Sequence, residues 1–202
     1  WSIHGQQQYV DATGTAFDKV FSEEILWEPE EKSKGVDKVK GELKDQTIAL
    51  VKEYQTVKSP SVQPVAVEKS FKITFENAPY TVDGRIDLLD SDKNIRENKT
   101  TGKTPSEISA DHMIQGVFYN ISEGGDKVVF DYAVKTKTPK IVTHTLEPKE
   151  TDKLFALRLV GLVDHSVKSG IFLPNRSHFM CTRRHCSYAD RCEKVNGGRV
   201  KN

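Results

Sequence analysis

The spacing of hydrophobic positions predicts that helices come first in this chain and that strands follow. Between residue 11 and Pro29, apolar residues recur every three or four positions, as on the buried face of a helix. Residues 42–57 repeat this pattern and predict a second helix. The charged, glycine-interrupted residues 30–42 between them predict an exposed connector.

From residue 65 the pattern changes to an alternation of apolar and polar residues, which is the period of a half-buried strand. Residues 65–76 and 80–90 predict an antiparallel pair joined by a turn at 77–79. After the turn "DSDKN", residues 94–99 predict a third short strand. Three consecutive strands are therefore expected in this part of the chain.

The remaining residues mix helices and strands. Thr104 is placed to cap a helix in which Pro105 takes the first position, Glu107 lies three residues after the cap and residues 106–122 follow as the helical segment. The other predicted elements are two strands, residues 127–136 and 140–148, and a closing helix, residues 149–170, which Gly170 ends. This order predicts an α/β fold with a mixed central β-sheet flanked by helices.

Composition narrows the class of protein without naming a function. The chain has 202 residues, the size of one ordinary domain, so we predict a single domain over residues 1–202. Its formal net charge of +1 gives no case for or against a polyanionic partner, so any basic surface must be local. No apolar run could span a membrane, and residues 1–10 have neither a charged leader nor an apolar signal core, so we expect no membrane partner and a cytoplasmic, intracellular location. Because the chain begins at Trp1, we also expect residues upstream of it.

The segment from Gly84 to Gly102 places acids and a lysine in a pattern suited to metal chemistry. Side chains on a strand alternate between faces, so Glu97 and Lys99 project to one side, and the neighbouring strand can bring Asp87 against them. Two carboxylates held close together repel each other unless a cation lies between them, and oxygen ligands suit Mg²⁺ or Mn²⁺. A lysine there can orient water or stabilise charge on a phosphate. A surface hairpin with ordinary ion pairs is the alternative.

The helix that follows this segment carries a polar stripe. His112, Gln115 and Tyr119 recur at helical spacing along one side. The apolar side is predicted to consist of Ile114, Val117, Phe118 and Ile121.

Taken together, "VDGRIDLLD", "IRENKTTG" and "HMIQGVFY" resemble the RecB-like branch of the PD-(D/E)XK nuclease superfamily. Enzymes of that branch have a restriction-endonuclease-like α/β core. Their active site combines an aspartate on one strand, an acid-x-lysine on the next, and a helical Gln-x-x-x-Tyr. The resemblance implies that Asp87 and Glu97 bind the divalent ion, Mg²⁺ or Mn²⁺, with the backbone carbonyl of Asn98 as a further ligand. It also implies that Lys99 positions or activates the attacking water.

Gln115 and Tyr119 are implied to contact the phosphate or sugar near the scissile bond. The function that the resemblance implies is a metal-dependent DNA nuclease, an exonuclease on single-stranded DNA or duplex ends. Recombination, repair or phage DNA processing is the expected setting, with a helicase or recombination protein as partner. The alternatives are an endonuclease with the same active site and a non-catalytic nucleic-acid-binding module that retains the fold.

The first helix departs from the family pattern. Related enzymes carry a Gly-x-x-x-His motif whose histidine joins the metal, whereas this chain has Gly14 followed by Asp18. Asp18 could replace the imidazole as an oxygen ligand. The alternatives are that Asp18 is a solvated helix residue, or that the corresponding ligand is Glu23 or Glu24.

Three cysteines, Cys181, Cys186 and Cys192, lie in a Cys-rich segment over about residues 178–195. Their odd number and close spacing disfavour a disulfide framework and suggest metal ligands. Their C-x4-C-x5-C spacing resembles the terminal cysteines of AddB-type helicase-nucleases and CRISPR-associated iron-sulfur exonucleases, which implies a [4Fe-4S] cluster.

The fourth ligand of such a cluster is not identified. A residue upstream of the chain, His4 or His185 could supply it. The alternatives are zinc bound by the three cysteines with His185 or His178, and three free thiols.

Basic residues form two candidate contacts with a phosphate backbone. Arg183, Arg184 and His185 lie within the Cys-rich segment, and "KTKTPK" covers residues 135–140. Solvated basic loops are the alternative for both.

Overall fold

The alternating residues form five strands: β1 (Pro64–Thr74), β2 (Thr81–Asp90), β3 (Ile95–Thr101), β4 (Val128–Val134) and β5 (Lys140–Leu146). They make one mixed sheet in the order β1-β2-β3-β4-β5. β3 and β4 run parallel, and the other neighbours are antiparallel. A parallel pair needs a long crossover connection, which a helix supplies here. The prediction of a mixed sheet flanked by helices is confirmed.

The computed structural model describes residues 3–22, 29–75, 80–172, 174–178 and 180–201, so the turn predicted at 77–79 lies outside it. The helices are α1 (Ile3–Val20), α2 (Pro29–Lys34), α3 (Val36–Val57), α4 (Ala110–Glu123), α5 (Glu150–Lys168) and α6 (Ala189–Asn196), with a 3-10 turn at Ser59–Ser61. Among these helices, none is long and apolar enough to cross a membrane.

The chain divides into two compact units, Trp1–Lys153 and Leu154–Asn202. The first unit holds the whole sheet, and its core lies on the parallel pair. Ile95, Val128 and Phe130 have no exposed surface. The prediction of a single domain stays a prediction.

The parallel register assigns each residue of the central strands to a face. Glu97 lies opposite Phe130, and Lys99 lies opposite Tyr132, so these four side chains share one face. α4 covers this face, because its residue Gln115 bonds Glu97. α3 packs against β4 and β5 on the other face. The central strands therefore present site residues to α4 and different residues to α3.

Residues 31–42 are largely exposed, as predicted, but most of them are helical instead of forming a connector. α2 covers Pro29–Lys34, and α3 begins at Val36, so most of this stretch is helical. Lysine and glutamate are good helix formers even without an apolar stripe, and charge alone does not indicate a loop. Gly35 separates the two helices with φ of 88°, in the left-handed region that glycine adopts readily.

α4 begins later than predicted. Its N-cap is Ser109, whose side chain accepts a hydrogen bond from the His112 N–H, so the predicted cap at Thr104 is wrong. The preceding loop is instead attached to the sheet, because His144 of β5 contacts the Pro105 carbonyl at 3.1 Å. Ser109, which follows this contact in the chain, can cap the helix as well as Thr104, which precedes it.

The face that α4 turns to the sheet also differs from the predicted apolar face. Its buried residues are Gly116, Val117, Tyr119 and Asn120. Three residues predicted for that face are only half-buried: Ile114, Phe118 and Ile121. Tyr119 and Asn120 tolerate burial because the polar groups of both side chains have hydrogen-bond partners.

In the second unit, α5 ends before Gly170, as predicted, and Gly170 has φ of 68°. α6, which the hydrophobic pattern did not indicate, follows within the Cys-rich segment.

Gly116 allows α4 to lie close to the sheet. A β-carbon on this residue would come within 3.0 Å of both Leu146 Cδ2 and Phe130 Cζ. We expect Gly116→Ala to lower the free energy of unfolding by about 1–3 kcal/mol, because the added methyl group overpacks this contact. In the same urea titration, Gly41→Ala in open space on α3 should gain up to about 1 kcal/mol. Equal effects of the two substitutions would contradict this explanation.

Candidate active site

Strand register brings Asp87 to the acid on the next strand. In the antiparallel pair of β2 and β3, Leu88 lies opposite Arg96, which places Asp87 across from Glu97 on the same face. The Asp87 carboxylate accepts a hydrogen bond of 2.8 Å from the backbone N–H of Asn98. This bond holds the carboxylate against β3 beside Glu97.

Glu97 lies at the centre of a hydrogen-bonded cluster. Lys99 Nζ is 2.5 Å from Glu97 Oε1, and Gln115 Nε2 donates to the same oxygen at 3.0 Å. Gln115 Nε2 also contacts the Tyr119 hydroxyl at 2.6 Å. Four-residue spacing places Gln115 and Tyr119 on the same side of α4, facing β3. The structure thus brings together all five residues of the predicted site, Asp87 included.

Burial makes a negative charge on Glu97 costly. Its side chain is 4% exposed. Burial raises the pKa of the Glu97 carboxyl, the hydrogen bond from Lys99 lowers it and the charge of Asp87 raises it again, with a net increase. Burial also raises the pKa of the Tyr119 hydroxyl, and the adjacent Glu97 adds to this effect, so Tyr119 stays protonated. Two acids facing one lysine leave the cluster short of positive charge.

The oxygen atoms of this cluster fit a divalent cation. Within the described ranges, Glu97 Oε2 is buried and has no hydrogen-bond partner, although buried polar atoms are normally paired. No three His, Cys, Asp or Glu side chains in those ranges are grouped for metal binding. A cation at Asp87 and Glu97 would therefore take its other ligands from a backbone carbonyl, such as that of Asn98, and from water.

Asp18 has a different partner. It lies on α1 with its side chain half-exposed, and its carboxylate is 2.5 Å from Lys44 Nζ of α3. The part of the chain that the structure describes does not bring Asp18 into one metal-binding group with the two strand acids. The alternative ligands Glu23 and Glu24 lie outside that part.

Lys99 borders a cavity on each face of the sheet. On the α3 face, a cavity of about 510 Å³ is lined by residues that include Leu50, Tyr54 and Asp131. On the α4 face, a cavity of about 270 Å³ is lined in part by His112 and Tyr132. Because the Lys99 side chain lies on the α4 face with Glu97, the cavity on that face is the one that leads to its ammonium group.

Two residues beside the site were missed by the sequence-based prediction. Tyr132 on β4 is hydrogen-bonded to His112 at 2.8 Å. Asp131 points to the other face, where it lies 3.0 Å from Arg96 and 3.3 Å from Lys58. A single acid within the apolar strand "VVFDYAV" was the signal that could have identified Asp131, because buried acids are normally paired.

A buried ion network supports β3 from the face opposite the site. Arg96, which precedes Glu97, binds Asp90 at 2.7 Å as well as Asp131. Burial alone raises the pKa of Asp90, but hydrogen bonds from Asn94 and Arg96 outweigh it, and the net pKa lies below the ordinary value. Asp90 therefore stabilises the fold above its ordinary pKa, and this contribution is lost as the pH falls through the lowered value.

The three cysteines are free and half-buried in the second unit. No grouping of three potential ligands is found among the described residues, so the structure gives no support for a cluster or a zinc site there. Cys192 Sγ lies 3.7 Å from Asn196 Nδ2. Within the Cys-rich segment, Arg183 forms ion pairs with Asp190 and Glu193 of α6.

The predicted phosphate contacts differ in their surroundings. Because the Arg183 guanidinium is paired with two carboxylates, it is a poor candidate for binding a backbone. His185 contacts the Thr182 hydroxyl at 2.8 Å. By contrast, Lys135 is exposed and lines the cavity on the α3 face.

The chain is similar to known proteins along most of its length. A model of the PD-(D/E)XK nuclease superfamily matches residues 5–193. A search of curated proteins found no match.

Two solved structures can be aligned with the chain at low sequence identity. The protein SSO0001 is 12% identical with a TM-score of 0.43, over 77% of this chain and 86% of that one. A "Putative exonuclease" from Eubacterium rectale is 15% identical with a TM-score of 0.46, over 70% of this chain and 59% of that one. This chain thus spans less than two thirds of the second structure.

Proposed function

This chain belongs to the PD-(D/E)XK nuclease superfamily, and we propose that it is a Mg²⁺- or Mn²⁺-dependent deoxyribonuclease that hydrolyses phosphodiester bonds. The observation that carries the proposal is Glu97 Oε2, which is buried and has no hydrogen-bond partner among the described residues, on a carboxyl group whose pKa is raised by burial and by the nearby charge of Asp87. Two adjacent carboxylates are stable in their charged forms when a divalent cation neutralises them.

Asp87, Glu97 and the carbonyl of Asn98 would hold the metal. When bound, the ion would polarise a phosphate oxygen and make a coordinated water more acidic. The hydrogen bond from Asn98 to Asp87 orients that carboxylate before any metal binds. The network of Arg96 on the opposite face fixes the strand that carries Glu97.

The other three residues act directly on the substrate. The Lys99 ammonium orients the attacking water or stabilises negative charge that develops on the phosphate. Gln115 holds the Glu97 carboxylate in place and, with Tyr119, contacts the phosphate or sugar next to the scissile bond. Because its pKa is raised, Tyr119 contributes a hydroxyl rather than a phenolate.

We assign the substrate as single-stranded DNA or duplex ends, cut by an exonuclease in recombination, repair or phage DNA processing with a helicase or recombination partner. This assignment rests on the family motifs. An endonuclease with the same active site is the second candidate, and a circular single strand separates the two because it has no end. A non-catalytic binding module is disfavoured, because such a module would be expected to have lost one of Asp87, Glu97 and Lys99.

Asp87→Ala is expected to lower Mn²⁺-dependent cleavage of linear single-stranded DNA by about 10³-fold or more, because it removes a charged metal ligand. Asp83→Ala changes an exposed acid on the same strand and should cut like the wild type. Mn²⁺ should raise the melting temperature of wild type and Asp83→Ala, and have little effect on Asp87→Ala. Undiminished cleavage by Asp87→Ala would refute the assignment.

For the cysteines we retain the proposal of a [4Fe-4S] cluster, which rests on their C-x4-C-x5-C spacing alone. Protein purified without oxygen is expected to be brown and to contain iron and sulfide, both lost in Cys186→Ser. Stoichiometric zinc in a colourless protein would favour the zinc site instead. Metal-free protein with three reactive thiols would refute both.

A further inference from the structure

His112 and Tyr132 form a pair that the proposed reaction does not yet use. His112 Nδ1 lies 2.8 Å from the Tyr132 hydroxyl, and its ring stacks on Phe130 with centroids 5.9 Å apart. Tyr132 is 3% exposed, and His144 packs edge-on against it from β5. These contacts hold the imidazole in one orientation.

The hydrogen bond also determines the tautomer of the imidazole. Within the described ranges, the Tyr132 hydroxyl has no other hydrogen-bond acceptor. We therefore expect it to donate its proton to an unprotonated Nδ1 of His112. The proton of a neutral His112 then resides on Nε2. This leaves the Nε2–H as a donor for a ligand.

His112 lines the cavity of about 270 Å³ on the α4 face, and Lys99 lies close enough for its charge to act on the imidazole. Lys99 also lines its wall, together with Ser109, the residue that caps the start of α4. The positive end of a helix favours anions. Glu107 also lines the cavity, so an anion would lie on the Lys99 side, away from that carboxylate.

We propose that this cavity is a subsite for a phosphate of the nucleic-acid substrate, in which neutral His112 donates its Nε2–H to a phosphate oxygen beside the Lys99 ammonium. The inference deepens the proposed function and rests on it for the identity of the ligand. Tyr132 is a positioning residue, because it acts only through the tautomer of His112.

The surroundings of His112 favour a neutral hydrogen-bond donor over a proton donor. Burial lowers the pKa of the imidazole and the charge of Lys99 lowers it further, while Asp111 has the opposite effect. Tyr132, which burial keeps protonated, adds no charge. Since little imidazolium is present at neutral pH, His112 binds phosphate without transferring a proton to it.

The test uses binding, so that it does not depend on cleavage. The probe is the 5′-phosphorylated thymidine dinucleotide, added without metal to the ¹⁵N-labelled chain of 202 residues. Histidine side-chain spectra should show His112 protonated at Nε2 alone, and its resonance should shift as the probe binds. His112→Leu should weaken binding about tenfold, the expected loss of one hydrogen bond to a charged group.

Three further variants make the result specific. His112→Gln keeps an N–H near the position of Nε2 and should weaken binding less than about threefold, as part of the bond is retained. Tyr132→Phe should produce a mixture of tautomers and an intermediate affinity. Met113→Ala, on the exposed side of α4, should bind like the wild type.

An unshifted His112 resonance, or wild-type affinity in His112→Leu, would overturn the subsite. If His112 binds the probe but the wild-type protein cuts no DNA with Mg²⁺ or Mn²⁺, the subsite stands and the proposed function fails. If DNA is cut and His112 does not respond, the function stands and the subsite fails.

Discussion

Lys99→Ala is expected to reduce metal-dependent cleavage of single-stranded DNA by about 10³-fold while DNA binding changes only severalfold. Lys99 is the cation in contact with the Glu97 carboxylate, 2.5 Å away. Its side chain is 24% exposed, so it can reach a bound phosphate while remaining partly shielded from water. Partial shielding strengthens its interaction with charge that develops in the transition state. Single-turnover cleavage of end-labelled linear and circular DNA measures the loss.

Lys103→Ala is the matched control, because it removes the same charge from an exposed position in the following loop. It should cleave within about twofold of the wild type, as exposed charges contribute little. Cutting of the circular strand by the wild type would identify an endonuclease. If neither the wild type nor Lys99→Ala cuts while both bind DNA, the carboxylate cluster is architectural and the binding module becomes the better description.

Asp131→Ala is expected to lower the free energy of unfolding by about 3–5 kcal/mol, the usual cost of breaking a buried ion pair from one side. The Asp131 side chain has no exposed surface and contacts Arg96, Lys58 and the Thr143 hydroxyl, the last at 2.6 Å. Removing the carboxylate leaves Arg96 with Asp90 as its remaining ion-pair partner and takes from Lys58 the carboxylate with which it is paired. Urea unfolding followed by far-ultraviolet circular dichroism measures this change.

Two comparisons make the stability prediction specific. Asp126→Ala removes an exposed acid just before β4 and should change stability by no more than about 0.5 kcal/mol. Thr143→Val removes one hydrogen bond to Asp131 and should cost about 1 kcal/mol. A loss below about 1 kcal/mol in Asp131→Ala would mean that the network contributes little to folding.

The strands could be predicted from sequence because alternation is a local property. β2 and β3 follow the pattern closely, and the "DSDKN" turn forms as expected, with the Asp90 carboxylate accepting the Asn94 N–H. Helix boundaries were less predictable, because several residues could cap α4 equally well. Attachment of the preceding loop to His144, a contact 39 residues away in sequence, decided in favour of Ser109.

The candidate site was predictable to the extent that its residues lie on adjacent strands and one helix face. Asp87, Glu97 and Lys99 meet through a hairpin register that the chain itself encodes. Tyr132 and Asp131 could not be placed in the same way, because the parallel register of β3 and β4 depends on packing around the crossover helix. The positions of the three thiols in the Cys-rich segment could not be predicted either, since the spacing of the cysteines did not specify how the backbone would fold around them.

Gly116 offers a way to measure how much displacement the chemistry tolerates. Gln115, its neighbour, reaches Glu97 across a 3.0 Å hydrogen bond, so an outward movement of α4 lengthens that bond directly. Alanine at position 116 requires a movement of a few tenths of an ångström, and larger side chains require more. A series of substitutions at this one position would therefore act as a graded spacer between helix and strand. The cleavage rate of each variant would show how far Gln115 can move from Glu97 before hydrolysis slows.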